Sequence, residues 1–200
     1  MKNNFFKTIK FLTTIILIFF IFNKLFAEDV IINADKVDIK DKGNLIIASG
    51  SVNIKDGKTI NINGEKVIYD KNKQIVEIEG NVLFNDNTNH YNASSDKIVF
   101  KRNENIIFSY GNTEFNFFDS DNLNENLRVN GKNSFFDKKN KILEIKDKVI
   151  LNDFLNNFIV YSEKIVYDLN QEIIKSFEET KINYKDEFII ITQDIALNKN

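Results

Sequence analysis

The sequence has no cysteine, no proline and no tryptophan, and among its 200 residues are one histidine, one methionine and seven glycines. Without cysteine there is no disulfide framework and no thiolate metal site. The one histidine, His90, closes the turn-like stretch "NDNTNH" (85–90). A catalytic triad or a zinc site needs partners that this chain lacks, so His90 reads as a solvated loop residue. The stretch "DSDNLNE" (119–125) spaces its oxygens somewhat as a calcium loop does, but Leu123 and a missing glycine break that pattern. No glycine-rich phosphate loop follows a strand, and no carboxylate pair stands out from the surface acids. These absences argue against an enzyme and give no reason to expect a metal or a cofactor.

Charge is arranged unevenly. Residues 1–10 carry Lys2, Lys7 and Lys10 and no acid; residues 11–22 (FLTTIILIFFIF) carry no charge, and Asn23 and Lys24 end the run. Ala27 then supplies a small residue at a cleavage point. This is the layout of a secretory signal peptide over residues 1–27. A membrane span needs roughly 20 apolar residues, more than this run provides before Lys24. Four of the 27 basic residues lie in this leader, so the chain from Glu28 onward would carry 23 basic against 29 acidic residues, a net charge of −6. No basic cluster remains, which argues against nucleic acid as a partner.

What the sequence does have is a repeat. "ADKVDI" (34–39), "GEKVIY" (64–69), "SDKIVF" (95–100), "GKNSFF" (131–136), "SEKIVY" (162–167) and "TQDIAL" (192–197) align, with starts 30, 31, 36, 31 and 30 residues apart. A second phrase follows each of the first five: "ASGSVNI", "IEGNVLF", "SYGNTEF", "IKDKVIL" and "FEETKIN". Extra polar residues at 118–126 account for the one longer interval and predict an enlarged loop. Apolar or small residues fall on alternate positions, as in Val76, Ile78, Gly80, Val82 and Phe84, with Glu77 and Glu79 between them. A period of two predicts half-buried antiparallel strands; a helix would wind those charges into its apolar face.

In the first half of each repeat the alternation slips by one. Ile62 and Gly64 are in phase, and after Glu65-Lys66 the apolar positions become Val67 and Tyr69. A one-residue slip exchanges strand faces, so its recurrence at one place predicts a bulge or corner where the strand bends. Gly50, Gly80 and Gly111 would mark the matching bend on the return strand, whereas Asp147 and Glu178 stand where a glycine is expected. Short loops rich in Asn, Asp and Gly link the halves. The prediction is an all-β, antiparallel stack of bent hairpins of about 30 residues, forming two sheets that face each other across an apolar trough.

Residues 31–82, with the "A-D" start, the "ASG-V" phrase and the "G-E-K-V-x-Y" phrase, resemble the OstA-like lipopolysaccharide-transport family. That family includes LptA-like bridge proteins and the N-terminal domain of LptD. The likeness is clear over residues 31–115 and fades towards the C-terminus. It implies a V-shaped β-jelly roll over residues 28–200, located in the periplasm or at the periplasmic face of the outer membrane. It also implies that lipid A acyl chains lie between the sheets, against Val52, Ile54, Val82, Phe84, Thr113, Phe115, Phe117, Val149 and Leu151. From the alternation alone these positions serve equally as ordinary core.

An open stack leaves two unpaired edges. Val30, Ile31 and Ile32 mark the first, and Phe188 and Ile190 mark the last, in a segment read as one strand over 188–197. Neither edge holds a proline, and the centre of each has little charge to deter pairing. Strand addition to other OstA-like proteins is the expected use. The chain stops inside a sixth repeat, which favours an LptD-type N-terminal domain over a stand-alone bridge unit. Two other readings stay open: a structural repeat protein of the envelope that binds no lipid, and a membrane-anchored, LptC-like component in which residues 11–22 stay uncleaved.

Overall fold

The computed structural model describes residues 30–57, 59–119, 124–185 and 187–198. The expected signal peptide and most of the "DSDNLNE" stretch lie outside the described residues. The strands are β1 (Val30–Asn33), β2 (Lys36–Lys40), β3 (Leu45–Asp56), β4 (Ile60–Asp70), β5 (Ile75–Asp86), β6 (Tyr91–Lys101), β7 (Ile106–Phe118), β8 (Glu125–Asp137), β9 (Ile142–Asp153), β10 (Phe158–Asp168), β11 (Ile173–Phe177), β12 (Thr180–Tyr184), β13 (Phe188–Thr192) and β14 (Ile195–Asn198). A single 3-10 turn, Asp41–Gly43, is the only helical element among the described residues. All pair into one sheet in which β3 to β10 follow chain order, each antiparallel to the next.

The turns are built alike because the same side chain organises them. Asp70 Oδ1 accepts the amides of Asn72 and Lys73 (3.1 Å each), and Asp153 and Asp168 accept two amides in the same way. An aspartate that hydrogen-bonds two and three residues ahead fixes a tight turn. A left-handed residue then closes it: Gln74, Asn157 and Glu172, each at φ 54°. Successive turns also bond to one another, Arg102 N to Gln74 O (2.9 Å) and Lys138 N to Asn105 O (3.0 Å), so the turn ends stack as regularly as the strands.

The slip seen in the sequence is a bulge. Between the pairs Lys66↔Glu79 and Asn63↔Leu83, β5 has one residue more than β4. The same surplus recurs in β3, β7 and β9 against both of their neighbours. The extra residue restores the phase, so both halves of each strand turn their apolar rows to one interior. At the ends of the stack the corner becomes a break. The segment read as one strand over 188–197 is two, β13 and β14, interrupted at Gln193 and Asp194, and its N-terminal counterpart is divided into β1 and β2. The corner breaks in the same way between β11 and β12, which have neighbours on both sides, so the break belongs to the last two repeat halves and the first.

Each bulge needs left-handed backbone. Gly80 (φ 83°) supplies it, and a Cβ there would lie 2.6 Å from the Glu65 carboxyl group. Asp147 and Glu178 adopt the same conformation (φ 69° and 70°) despite their side chains, so the corner geometry persists where the glycine does not. Left-handed backbone costs a non-glycine residue roughly 1–2 kcal/mol. Gly80→Ala is therefore expected to lower, and Glu178→Gly to raise, the urea midpoint, by free energies of about 2 and about 1 kcal/mol. Equal effects of either sign at the two positions would refute the strained corner.

The bent strands bring their two halves face to face. Phe84, near the end of β5, meets Phe100, near the end of β6, edge to face at 5.8 Å. Tyr91 meets Phe136 at 5.1 Å, and Phe117 meets Tyr167 at 5.8 Å. These rings are far apart along the strand ladder and touch only because the sheet folds on itself.

Candidate functional site: the apolar interior and its lips

The nine predicted lining residues are brought together, and none is more than 6% exposed. All of them sit on the second halves of β3, β5, β7 and β9, which is every other strand of one wall. Cross-strand pairing shows how the wall is completed: Ile54, Ile62, Phe84, Ala93, Phe115, Val129, Leu151, Val160, Ile182 and Ile190 pair successively into a single apolar row. The facing wall has its own row, from Ile39 through Tyr69, Phe100, Phe136 and Tyr167 to Leu197. With strands about 4.8 Å apart, the first row, on ten strands, is roughly 43 Å long, and the facing row, on eleven, roughly 48 Å. Large and small residues alternate across it (Phe84, Ala93, Phe115), which lets the rings interdigitate.

Thr113 differs from the other eight. It sits in the corner, with its hydroxyl 3.0 Å from Ser109 Oγ and 3.2 Å from Ser95 Oγ. Its polar atom is used within the protein, and a methyl group is what it offers the interior.

Each row has one exposed end, the first at Ile190 and the facing one at Ile39. Ile39 and Val37, on the interior face of β2, are 67% and 44% exposed, and Ile190, on the interior face of β13, is 43% exposed. On the opposite face of β13, Ile189 and Ile191 are exposed as well. At the first edge Val30 and Ile32 are half-buried and Ile31 is exposed. The backbone of Phe188 pairs with Tyr184. Among the described residues β1 and β2 pair only with β3, β13 only with β12, and β14 only with β11, so each keeps an outer edge.

Along the third boundary, the two lips of the folded sheet are fastened by ions. Arg102, in the β6–β7 turn, makes a bidentate pair with Asp56 at the far end of β3 (2.6 and 2.7 Å). Lys138, in the β8–β9 turn, reaches Asp86 at the far end of β5 (2.9 Å) and lies over the rings of Phe84 and Phe100. Asp86 is 1% exposed. Burial alone would raise its carboxyl, but the hydrogen bond and charge of Lys138, with donors from Asn89, outweigh burial and hold it below the ordinary carboxylate range. Tyr91, close to Asp86, is 3% exposed and its hydroxyl makes no hydrogen bond among the described residues. Burial first, then the Asp86 charge, pushes that phenol far above its usual range.

Sequence reasoning missed these lip residues. One signal was present: Asp56, Asp86 and Asp153 continue the inward phase of Ile54, Phe84 and Leu151, and an acid in an apolar phase calls for a partner. The partners were not legible, because Arg102 stands 46 residues from Asp56 and meets it only through the fold. No group of residues able to hold a metal occurs among the described residues, and none of their helices is long and apolar enough to cross a membrane.

An open, bent antiparallel sheet with an apolar interior running from edge to edge is a β-jelly roll. The LptA/(LptD N-terminal domain) lipopolysaccharide-transport protein family matches residues 31–173, and the chain belongs to that family. It is accordingly a lipopolysaccharide-transport protein and not an enzyme. The crystal structure of LptH from Pseudomonas aeruginosa, the LptA homologous periplasmic component of that organism's lipopolysaccharide transport device, is similar at 14% identity. The similarity covers 82% of this chain and 94% of that one, with a TM-score of 0.35. No curated protein matches the sequence.

Proposed function

We propose that the chain works in the periplasm, holding lipopolysaccharide acyl chains along its two apolar rows and handing them on through paired sheet edges. The observation that carries this is the continuity of the rows: they cross every repeat and emerge, exposed, at Ile39 and Ile190. A closed core has no need to run out at both ends. Each buried methylene contributes about 0.8 kcal/mol, so a chain of about a dozen carbons gains near 10 kcal/mol over water. A row of similar sites lets such a chain pass without a deep trap. The side chains fill the interior here, so lipid must part the walls, and the lips are where they can part.

Photo-crosslinkers at Val82, Phe84, Phe115 and Val149 are expected to capture lipopolysaccharide in cells, while those at Glu77 and Lys146 do not. Equal labelling of both sets would contradict an interior path. The full burial of all nine lining residues favours a second reading, an envelope repeat protein with an ordinary core. Capture at none of the four interior positions would support it.

The free edges bear on assembly. Among the described residues β1 pairs only with β3, and we assign the amide of Ile32 to its outer edge, open to a partner. Ile32→Pro removes that donor alone. The variant is expected to keep the melting profile of the parent and to lose co-purification with the protein upstream; undiminished co-purification would exclude pairing through β1.

A further inference from the structure

The turn ladder makes Arg102, Lys138 and Leu169 equivalent: their amides bond to Gln74 O, Asn105 O and Lys141 O in turn. The first two turns therefore fasten the lips with a cation, and the third presents a leucine. Beside Lys138 and Leu169 the lips enclose a cavity of about 240 Å³. Lys138 and Lys141 line it from one lip, Thr88 and His90 from the other, and Tyr91 and Phe136 form its apolar side. Those two rings belong to the interior, since Phe136 also packs on Phe115 at 5.8 Å. The cavity thus joins the outer surface to the apolar rows.

Three features of this notch suit an anion. Lys138 has Asp86 as its ionic partner, and Asp86 also accepts the amides of Thr88 and Asn89 (3.2 Å each) and the Asn89 side chain (3.0 Å). With three N–H donors, Lys138 can keep Asp86 and hold a second anion beside it. Lys141 is exposed and adds a second positive charge against the one negative charge of Asp86. Tyr91 lines the same cavity, and its hydroxyl, buried close to Asp86, makes no hydrogen bond among the described residues. A buried orphan donor carries a free-energy cost that an incoming acceptor would remove.

We infer that this notch binds a phosphomonoester on the headgroup of an acyl lipid, with Lys138 and Lys141 as its cations and Tyr91 as its neutral donor, while the acyl chains pass inward beside Phe136. The inference rests on the proposed lipid path and adds to it a fixed place for the headgroup.

The test compares lipid A with the same lipid freed of its phosphates, binding to the full chain as isolated from cells. The phosphorylated lipid is expected to bind at least about tenfold more tightly, the ratio that one hydrogen bond to a charged group supports. Tyr91→Phe and Lys141→Gln should each shrink that ratio below about threefold. The first removes an unpaired hydroxyl, so its melting temperature should equal or exceed the parent's, and a lost preference is then not lost folding. Inorganic phosphate alone should leave the melting temperature unchanged. Equal binding of the two lipids by the parent overturns the headgroup site and leaves the acyl path standing. Binding of neither lipid removes the path and the site together. A thermal shift with inorganic phosphate but no preference between the lipids shows a free-anion site, which also overturns the inference.

Discussion

Phe115→Ala is expected to lower the unfolding free energy by about 3–5 kcal/mol, read from the urea midpoint at constant slope. Phe115 is fully buried, and its ring lies within 6.4 Å of those of Tyr91, Phe117 and Phe136. Its neighbours cannot collapse into the space left behind. On one side Ala93 has nothing to extend, and on the other the ladder holds Val129 in register. Phe154→Ala is the control. That ring is 45% exposed in a turn, and its loss should stay within roughly 1 kcal/mol. Similar losses at the two positions would mean that the interior is not packed as described. On the lipid path proposed above, the same substitution would leave a cavity in the middle of the row, either a stopping place for an acyl chain or a gap in its path.

Asp86→Ala is expected to be comparably severe, costing about 3–5 kcal/mol, because it leaves the Lys138 ammonium among Phe84 and Phe100 with no counter-charge. Replacing both partners by apolar residues of similar size (Asp86→Leu with Lys138→Met) should restore most of that loss. Acid should act as the single substitution does. The folded Asp86 carboxyl is held below its ordinary range. Its contribution is therefore present in full above the unfolded value of about 3.9 and is lost as the pH falls through the lower folded value. Stability should be flat in this respect from neutral pH down to about pH 5 and fall steeply below pH 4, with the fall missing in the double variant. A double variant as unstable as Asp86→Ala would show that the lips are not held by the ion pair.

The pattern of two made the strands, their order and their common interior readable, because a half-buried strand displays its buried face in the sequence itself. The corner was readable too, since the slip on β4, β6, β8 and β10 marks where the neighbouring strand carries its extra residue. The fate of that slip at the stack ends was not: Gln193 and Asp194 break a strand, as Glu178 and Glu179 do, where Glu65 and Lys66 only bend one. The lining list stopped at one wall. Val82 and Phe84 announce themselves beside a glycine corner, whereas Tyr91, Phe100 and Phe136 become lining residues only once the halves face each other. The ion pairs across the lips were least legible, because nothing local to Arg102 or Lys138 specifies the acid that each will meet.

The chain-order pairing of β3 to β10 bears on how the protein is made. Each strand docks on the one synthesised just before it, so the entropy of loop closure is met in instalments of one short turn at a time. A chain emerging N-terminus first can zip hairpin by hairpin without waiting for its C-terminus. At each stage the growing edge is covered by the next strand, and the outer edge of β1 and β2 is the other unpaired ladder. The ion pair from Arg102 to Asp56 can close as soon as β6 has been laid down, so the lips are fastened behind the advancing edge. The same order keeps aggregation-prone edges few, and among the described residues the last strands laid down, β13 and β14, each keep an outer edge.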